Sequence, residues 1–257
     1  MRGRSDGLPD WRDDAAYRAL RALRLPGLAW EWLRRDPRYR CEALEALDGS
    51  EAATAEERAA AWGLHLFEDP RLAAPLARPI WRADHYPLVL EAKARAGAGA
   101  DDLFDVQRFD GLARHVRSAS GSEHLLLSDG IFDIRIDIVS GSLLEGPVKL
   151  CYRLGGLRSA EAPAAVLMRL LALGRTGSFA RQLQPPVARM HRFLLELRVQ
   201  DAIVAGADQR EIAAALVSSE AAAPKWRIEA PTARSRVQRL VRRARQMQKG
   251  GYRRLLR

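Results

Sequence analysis

Cysteine is nearly absent from this chain of 257 residues: there are two, Cys41 and Cys151. Two thiols so far apart in sequence exclude a disulfide framework and a cysteine-based zinc site. Long apolar runs are missing as well. No stretch of about 18 apolar residues occurs, so no transmembrane helix is expected. The N-terminus, with Arg2, Arg4, Asp6 and Asp10, lacks the apolar centre of a signal peptide. Cytoplasmic residence is the expectation that follows.

The signatures of catalysis are missing too. His65, His85, His115, His124 and His191 are scattered without metal-ligand spacing. The phosphate-binding patterns GxxxxGK[ST] and GxGxxG do not occur as ordered motifs, and neither does GxSxG. Asp129, Asp133 and Asp137 would share one strand face as a candidate carboxylate cluster. Arg135 stands between two of them, so a solvated, charge-balanced face is the reading adopted. No enzyme, no cofactor and no metal site is expected.

What the chain has is positive charge in one place. The formal net charge is +10, from 42 Lys+Arg against 32 Asp+Glu. From Lys225 to Arg257 there are 12 basic residues and one acid, Glu229, so the rest of the chain is close to neutral. Charge concentrated at one end attracts polyanions and steers their approach, which dispersed charge does poorly. Hydrophobic residues make up 47% of the chain, enough to build a core around it.

Periodicity divides the chain. Residues 11–25, Gly27 to Arg35, and 51–68 read as helices, the last with Thr54 and Glu57 as a capping box. From Pro70 to Pro87 the chain is Pro-rich and expected to be extended around Trp81, and Ala94 to Ala100 (ARAGAGA) reads as a linker. Phe132 to Ile138 then alternates apolar and charged residues as a half-buried strand. Asp129-Gly130 before it is a hairpin turn, and Val148, Leu150, Tyr152 and Leu154 alternate again. This predicts an antiparallel meander over 122–155. Ala162–Leu173 and Pro186–Ala205 read as helices, with Gly206 at the C-terminal end of the second. Asp208, with Glu211 three residues on, caps Gln209–Val217. Thr232 is expected to cap a last helix running to Gln248, ended by Gly250-Gly251. The expected fold is mainly α with a small antiparallel β meander and a helix-turn-helix-like C-terminal domain. The expected boundaries are 8–70 helical, 71–102 connection and linker, 103–156 meander and 157–257 DNA-binding.

The last helix carries the functional reading. Val237, Leu240, Val241, Ala244 and Met247 make an apolar stripe at helical spacing. Arg236, Arg239 and Arg243 make a second stripe, flanked by Arg242 and Arg245. Guanidinium groups pair bidentately with phosphate or guanine. Arg234, Ser235, Gln238, Lys249, and Gln209 and Arg210 on the preceding helix complete the candidate DNA contacts. The connection from Val217 to Thr232 is much longer than the 3–4 residues of a standard helix-turn-helix, and Trp226 is expected to pack a short extra element there. Near the N-terminus, Trp30, Trp32 and Tyr39 read either as a small aromatic core or, with Arg34 and Arg35, as a surface for a protein partner. Arg34 and Arg35 are also candidate DNA contacts.

The segments REIAAAL and SRVQRLVRRARQMQKGGYRRLL resemble a bacterial domain of formerly unknown function described as DNA-binding. Trp30 to Tyr39 (WEWLRRDPRY) resembles the short transcriptional-regulator-like domain often fused to it. Together these cover about half of the chain. Relatives in that family include the excision activator of integrative and conjugative elements and its small antiactivator partner. The resemblance implies a duplex-DNA-binding transcriptional regulator acting on mobile-element genes. The alternative it implies is an antiactivator that binds a transcription factor instead of DNA. Double-stranded DNA, the transcription machinery or a regulator protein, and a second copy of the chain are the candidate partners. RNA is disfavoured, since no aromatic-rich sheet with an RNP-like motif is present. No membrane contact is expected.

Overall fold

The computed structural model describes residues 8–49, 52–97, 102–223 and 225–257. Arg2, Arg4 and Asp6, the end of the ARAGAGA stretch and Pro224 lie outside these.

The N-terminal part winds through a 3-10 helix, Ala15–Ala22, then α1, Leu25–Leu33, α2, Pro37–Leu47, and α3, Ala52–Ala61. The periodicity ends a helix before Asp36-Pro37 and gives none between there and residue 51. Asp36 instead begins α2: its carboxylate accepts from the Arg38 and Tyr39 amides, and Pro37 takes the first helical turn. A proline there loses nothing, because its missing N–H would have had no helical partner. Thr54 and Glu57 lie inside α3 rather than capping it.

The expected meander is one part of a larger sheet. Five strands run in the order β2-β3-β4-β1-β5: β1 Val89–Arg95, β2 Ala113–Arg117, β3 Glu123–Ser128, β4 Asp133–Ser140 and β5 Lys149–Arg153. The β3–β4 hairpin turns where expected, with Gly130 at φ +93°. But β5 does not pair with β4. β1 lies between them, parallel to β4 and antiparallel to β5. The sheet is therefore mixed, and the stretch read as connection and linker supplies an interior strand. Leu90, Ala92 and Ala94 of β1 face the core of α4, Glu161–Thr176, together with Ile134, Ile136 and Ile138.

The other face of β4 is not the solvated surface expected. Arg135 is 1% exposed, and its guanidinium donates to the Trp81, Leu125 and Ile136 carbonyls and to Asp137. Tyr86 Oη donates to Asp133 at 3.1 Å. This polar layer ties the sheet to the loop after α3. Wholly paired groups can be buried there at modest net cost.

The remaining helices are α5, Met190–Val204, α6, Gln209–Leu216, α7, Trp226–Glu229, and α8, Pro231–Gln248. A final 3-10 helix covers Gly251–Leu256. Gly206 has φ +79° after α5, and Asp208 and Glu211 form the expected reciprocal capping box on α6. α8 starts one residue before Thr232, with Ala230 as N-cap and no side-chain cap bond. Between α6 and α8 run a 3-10 helix, Ser219–Ala222, and α7, where Trp226 is buried as expected. The two helices are thus not joined by a short helix-turn-helix turn.

The N-terminal and C-terminal helices share one core. Trp30, Trp32, Leu197, Val199, Val237, Ala244 and Tyr252 belong to a single buried cluster. The last 3-10 helix packs on α1. Gly250 takes φ +101°, and a Cβ on Gly251 would stand 2.6 Å from the Gln246 carbonyl oxygen. These two glycines let the chain double back and seat Tyr252, Leu255 and Leu256 in the core. No described helix is long and apolar enough to cross a membrane.

Candidate nucleic-acid interface

α8 is an amphipathic rod with one side in the core. Ala233, Val237, Leu240, Val241 and Ala244 are buried, and Met247 is partly buried. α5 and α6 both pack against it. The outer side is open: Arg234, Ser235, Arg236, Gln238, Arg239, Arg242, Arg243, Arg245 and Lys249 are all exposed. The two stripes read from the sequence are therefore one buried face and one exposed face.

Exposed arginines are available to a ligand only if they lack partners of their own. Among the described residues, no ion pair joins Arg234, Arg236, Arg239, Arg242, Arg245 or Lys249 to a carboxylate. Arg243 differs. Its Nη1 lies 3.4 Å from Glu196 Oε1, and Arg192 Nε reaches the same oxygen at 3.2 Å. Glu196 is 4% exposed. Burial pushes its carboxyl pKa above the ordinary value, against the pull of Arg192.

Two grooves flank α8. The one toward α6 has a volume of about 710 Å³ and is lined by Gln209, Gln238, Arg242, Arg245, Lys249 and Arg254, among others. The one toward α5 has a volume of about 370 Å³, with His191, Arg192, Arg236, Arg239 and Arg243 on its walls. Neither lining contains a carboxylate. Arg210 is exposed at the start of α6 but does not line the first groove. The sequence reading missed Arg254, His191 and Arg192. The cluster Arg189, His191, Arg192 ahead of the apolar run of α5 was its available signal.

Trp30, Trp32 and Tyr39 are each 0% exposed, Arg34 is 3% and Arg35 is 4%. Side chains so enclosed offer no surface to a partner or to DNA, so the aromatic-core reading applies. Trp30 meets Tyr39 edge-on at 5.6 Å and donates through Nε1 to the Leu72 carbonyl. The two arginines serve a buried network. Arg35 donates to Glu31 and to Asp201 on α5. Arg34 Nε donates to Glu31 at 2.9 Å, and Tyr17 Oη donates to Asp201 at 2.6 Å. Burial alone would raise the Glu31 pKa, but Arg35 and Arg34 outweigh it and hold the carboxyl below its ordinary value.

The three aspartates considered as a cluster do not gather. Asp137 meets His65 and His124 instead, with one potential ligand atom of each within 4.8 Å of the others. The two rings stack at 3.5 Å. Asp137 Oδ1 is held by His124 Nδ1 at 2.7 Å and by Arg135 at 2.8 Å. With its one carboxylate already neutralised by a buried guanidinium, this group is poorly disposed to take up a divalent cation. We read it as part of the polar tie between sheet and helices.

Residues 156–257 match the family model described as T6SS, transcription factor, DNA binding domain. Residues 10–66 match the proteobacterial transcriptional regulator-like domain. Neither description is that of an enzyme or of an excision activator. A search of curated proteins gives no match. The chain thus carries a regulator-like segment and a segment of a DNA-binding transcription-factor family, and α8 lies within the second.

Proposed function

We propose that this protein is a transcriptional regulator that binds duplex DNA sequence-specifically through α8. The observation that carries the reading is the run of exposed, unpaired basic side chains on a helix anchored by its opposite face. Such a face supplies the phosphate contacts that dominate protein–DNA affinity. In this reading α6 and α8 act as an expanded helix-turn-helix-like pair, with α7 and Trp226 filling the space between them.

The test compares the wild type with an Arg236→Ala, Arg239→Ala, Arg242→Ala variant by fluorescence anisotropy on duplex DNA, with RNA as competitor. Arg243 is left in place because its removal would deprive buried Glu196 of a partner. The variant should keep its circular dichroism spectrum and lose duplex binding. Unchanged affinity, or preferential displacement by RNA, would reject the reading. So would capture of a transcription factor without any DNA footprint, which the antiactivator alternative requires. The proposed targets are mobile-element genes, on the resemblance of the WEWLRRDPRY and GGYRRLL segments. Genome-wide footprinting separates these from T6SS genes, which the matched family's description points to.

A further inference from the structure

α8 stands as a ridge between two basic grooves, and its exposed residues divide by position. Ser235, Arg239, Arg242 and Gln246 recur at i, i+4, i+7 and i+11, a spacing that lines up along one edge of a helix. That edge lies opposite the buried Val237, Leu240, Val241 and Ala244. Gln246 lines the groove toward α6 and also a further groove between the C-terminal end of α8 and α5, as does Arg254, while the crest residues Arg239 and Arg242 border the α5 side and the α6 side respectively. Arg236 and Arg243 line only the α5 side, while Gln238, Arg245 and Lys249 line only the α6 side.

We infer that the crest residues Ser235, Arg239, Arg242 and Gln246 read base edges in the major groove, while the two flanking grooves seat the two phosphate backbones. The inference rests on the proposed DNA-binding function. A helix with its side chains is about 10–12 Å across, and the major groove is about 12 Å wide. A helix inserted along it meets bases with its outermost edge and one backbone on each side. The side chains match these roles. The crest holds hydroxyl, amide and guanidinium groups, which suit thymine, adenine and guanine edges. The walls away from the crest are mainly cationic, through Arg236 with Arg243 and Arg192, which share Glu196, on one side, Arg245 and Lys249 on the other, and Arg254 bordering both. From Ser235 to Gln246 the crest is about 16 Å long, enough for at most about five base pairs.

The experiment selects binding sites from a randomised duplex pool with the full chain. It then measures affinity for the selected site and its single-base variants between 50 and 200 mM salt. Arg242→Lys keeps the charge but loses the planar fork that pairs bidentately with guanine. It should retain the salt dependence and lose about tenfold or more of base discrimination at one or two positions. Gln246→Ala should relax a different position. Arg236→Ala and Arg245→Ala should weaken binding to every sequence alike and reduce the salt slope by about 1 each. Discrimination that survives Arg242→Lys and Gln246→Ala, or that changes in Arg236→Ala, would overturn the assignment while leaving DNA binding intact. A wild type that binds duplex without enriching any base would overturn it too. A wild type that does not bind duplex at all would overturn the proposed function itself.

Discussion

The Arg35 guanidinium grips the Asp201 carboxylate with two parallel hydrogen bonds, Nε–Oδ1 at 2.7 Å and Nη2–Oδ2 at 3.0 Å. Arg35 follows α1, Asp201 lies on α5, and 166 residues separate them. The pair therefore joins the segment matching a regulator-like domain to the helix on which α8 packs. Both side chains are almost wholly enclosed. Removing one partner of such a pair strands a buried charge, at a cost of about 3–5 kcal/mol. Arg35→Ala should lose stability of that order in chemical denaturation, although it lies outside the DNA face. A loss under about 1 kcal/mol would mean that the network is not holding the two segments together.

The same shared core bears on truncation. A fragment beginning at residue 156 would lack α1, on which the final 3-10 helix packs, and would uncover its Tyr252, Leu255 and Leu256, all buried in the full chain. Exposed apolar faces of that kind drive association. The fragment should aggregate or show a broad, non-cooperative thermal transition. A sharp transition in a monomeric fragment would contradict the single-core account.

Glu196 places a negative charge beneath the α5 side of the interface, where it holds Arg192 and Arg243. Glu196→Gln removes the charge, frees both guanidinium groups and eases a burial that already raises its pKa. Duplex affinity at low salt should rise several-fold, with the gain shrinking as salt screens it. Weaker binding by this variant would show that Glu196 is needed to position Arg243.

His65 is 9% exposed and stacks on His124, facing Arg135, Asp137 and Arg82. Burial, then His124 and Arg135, lower its pKa from 6.5 to about 3. Between those values the unfolded chain binds a proton there that the folded chain refuses. Stability is therefore intact above about pH 6.5 and falls as pH drops toward 3, with a slope approaching about 1.4 kcal/mol per pH unit. His65→Phe should flatten this dependence in urea titrations across the window. An unchanged slope would place its origin elsewhere.

What the sequence revealed was local, and what it hid was long-range. The buried stripe of α8, the Asp208–Glu211 capping box and the Asp129-Gly130 turn all depend on residues a few positions apart. β1 went unread because its inward residues Ala92 and Ala94 are weak strand formers, and because its parallel partners on β4, such as Arg135 for Val89, lie more than forty residues away. Helix α2 is hard to read because a proline after an apolar helical run looks like a stop, whereas Pro37 occupies the first turn of a new helix capped by Asp36. Arg34 and Arg35 looked like surface cations, since nothing nearby in sequence points to Asp201 as the partner of Arg35. The arginines of α8 were legible as a group, but their division between crest and flanks needed α5 and α6 in place on either side.

The most direct test of the account is the slope of log affinity against log salt for duplex DNA, measured on the wild type and on the Arg236→Ala, Arg239→Ala, Arg242→Ala variant. Each phosphate contact contributes about −0.9. With about six contacts from the two walls, the wild type should show a slope near −5 or steeper. The variant should be shallower by about 1 to 3, because some of its missing arginines sit on the crest. Equal slopes for the two proteins, at any affinity, would mean that α8 does not meet the DNA backbone.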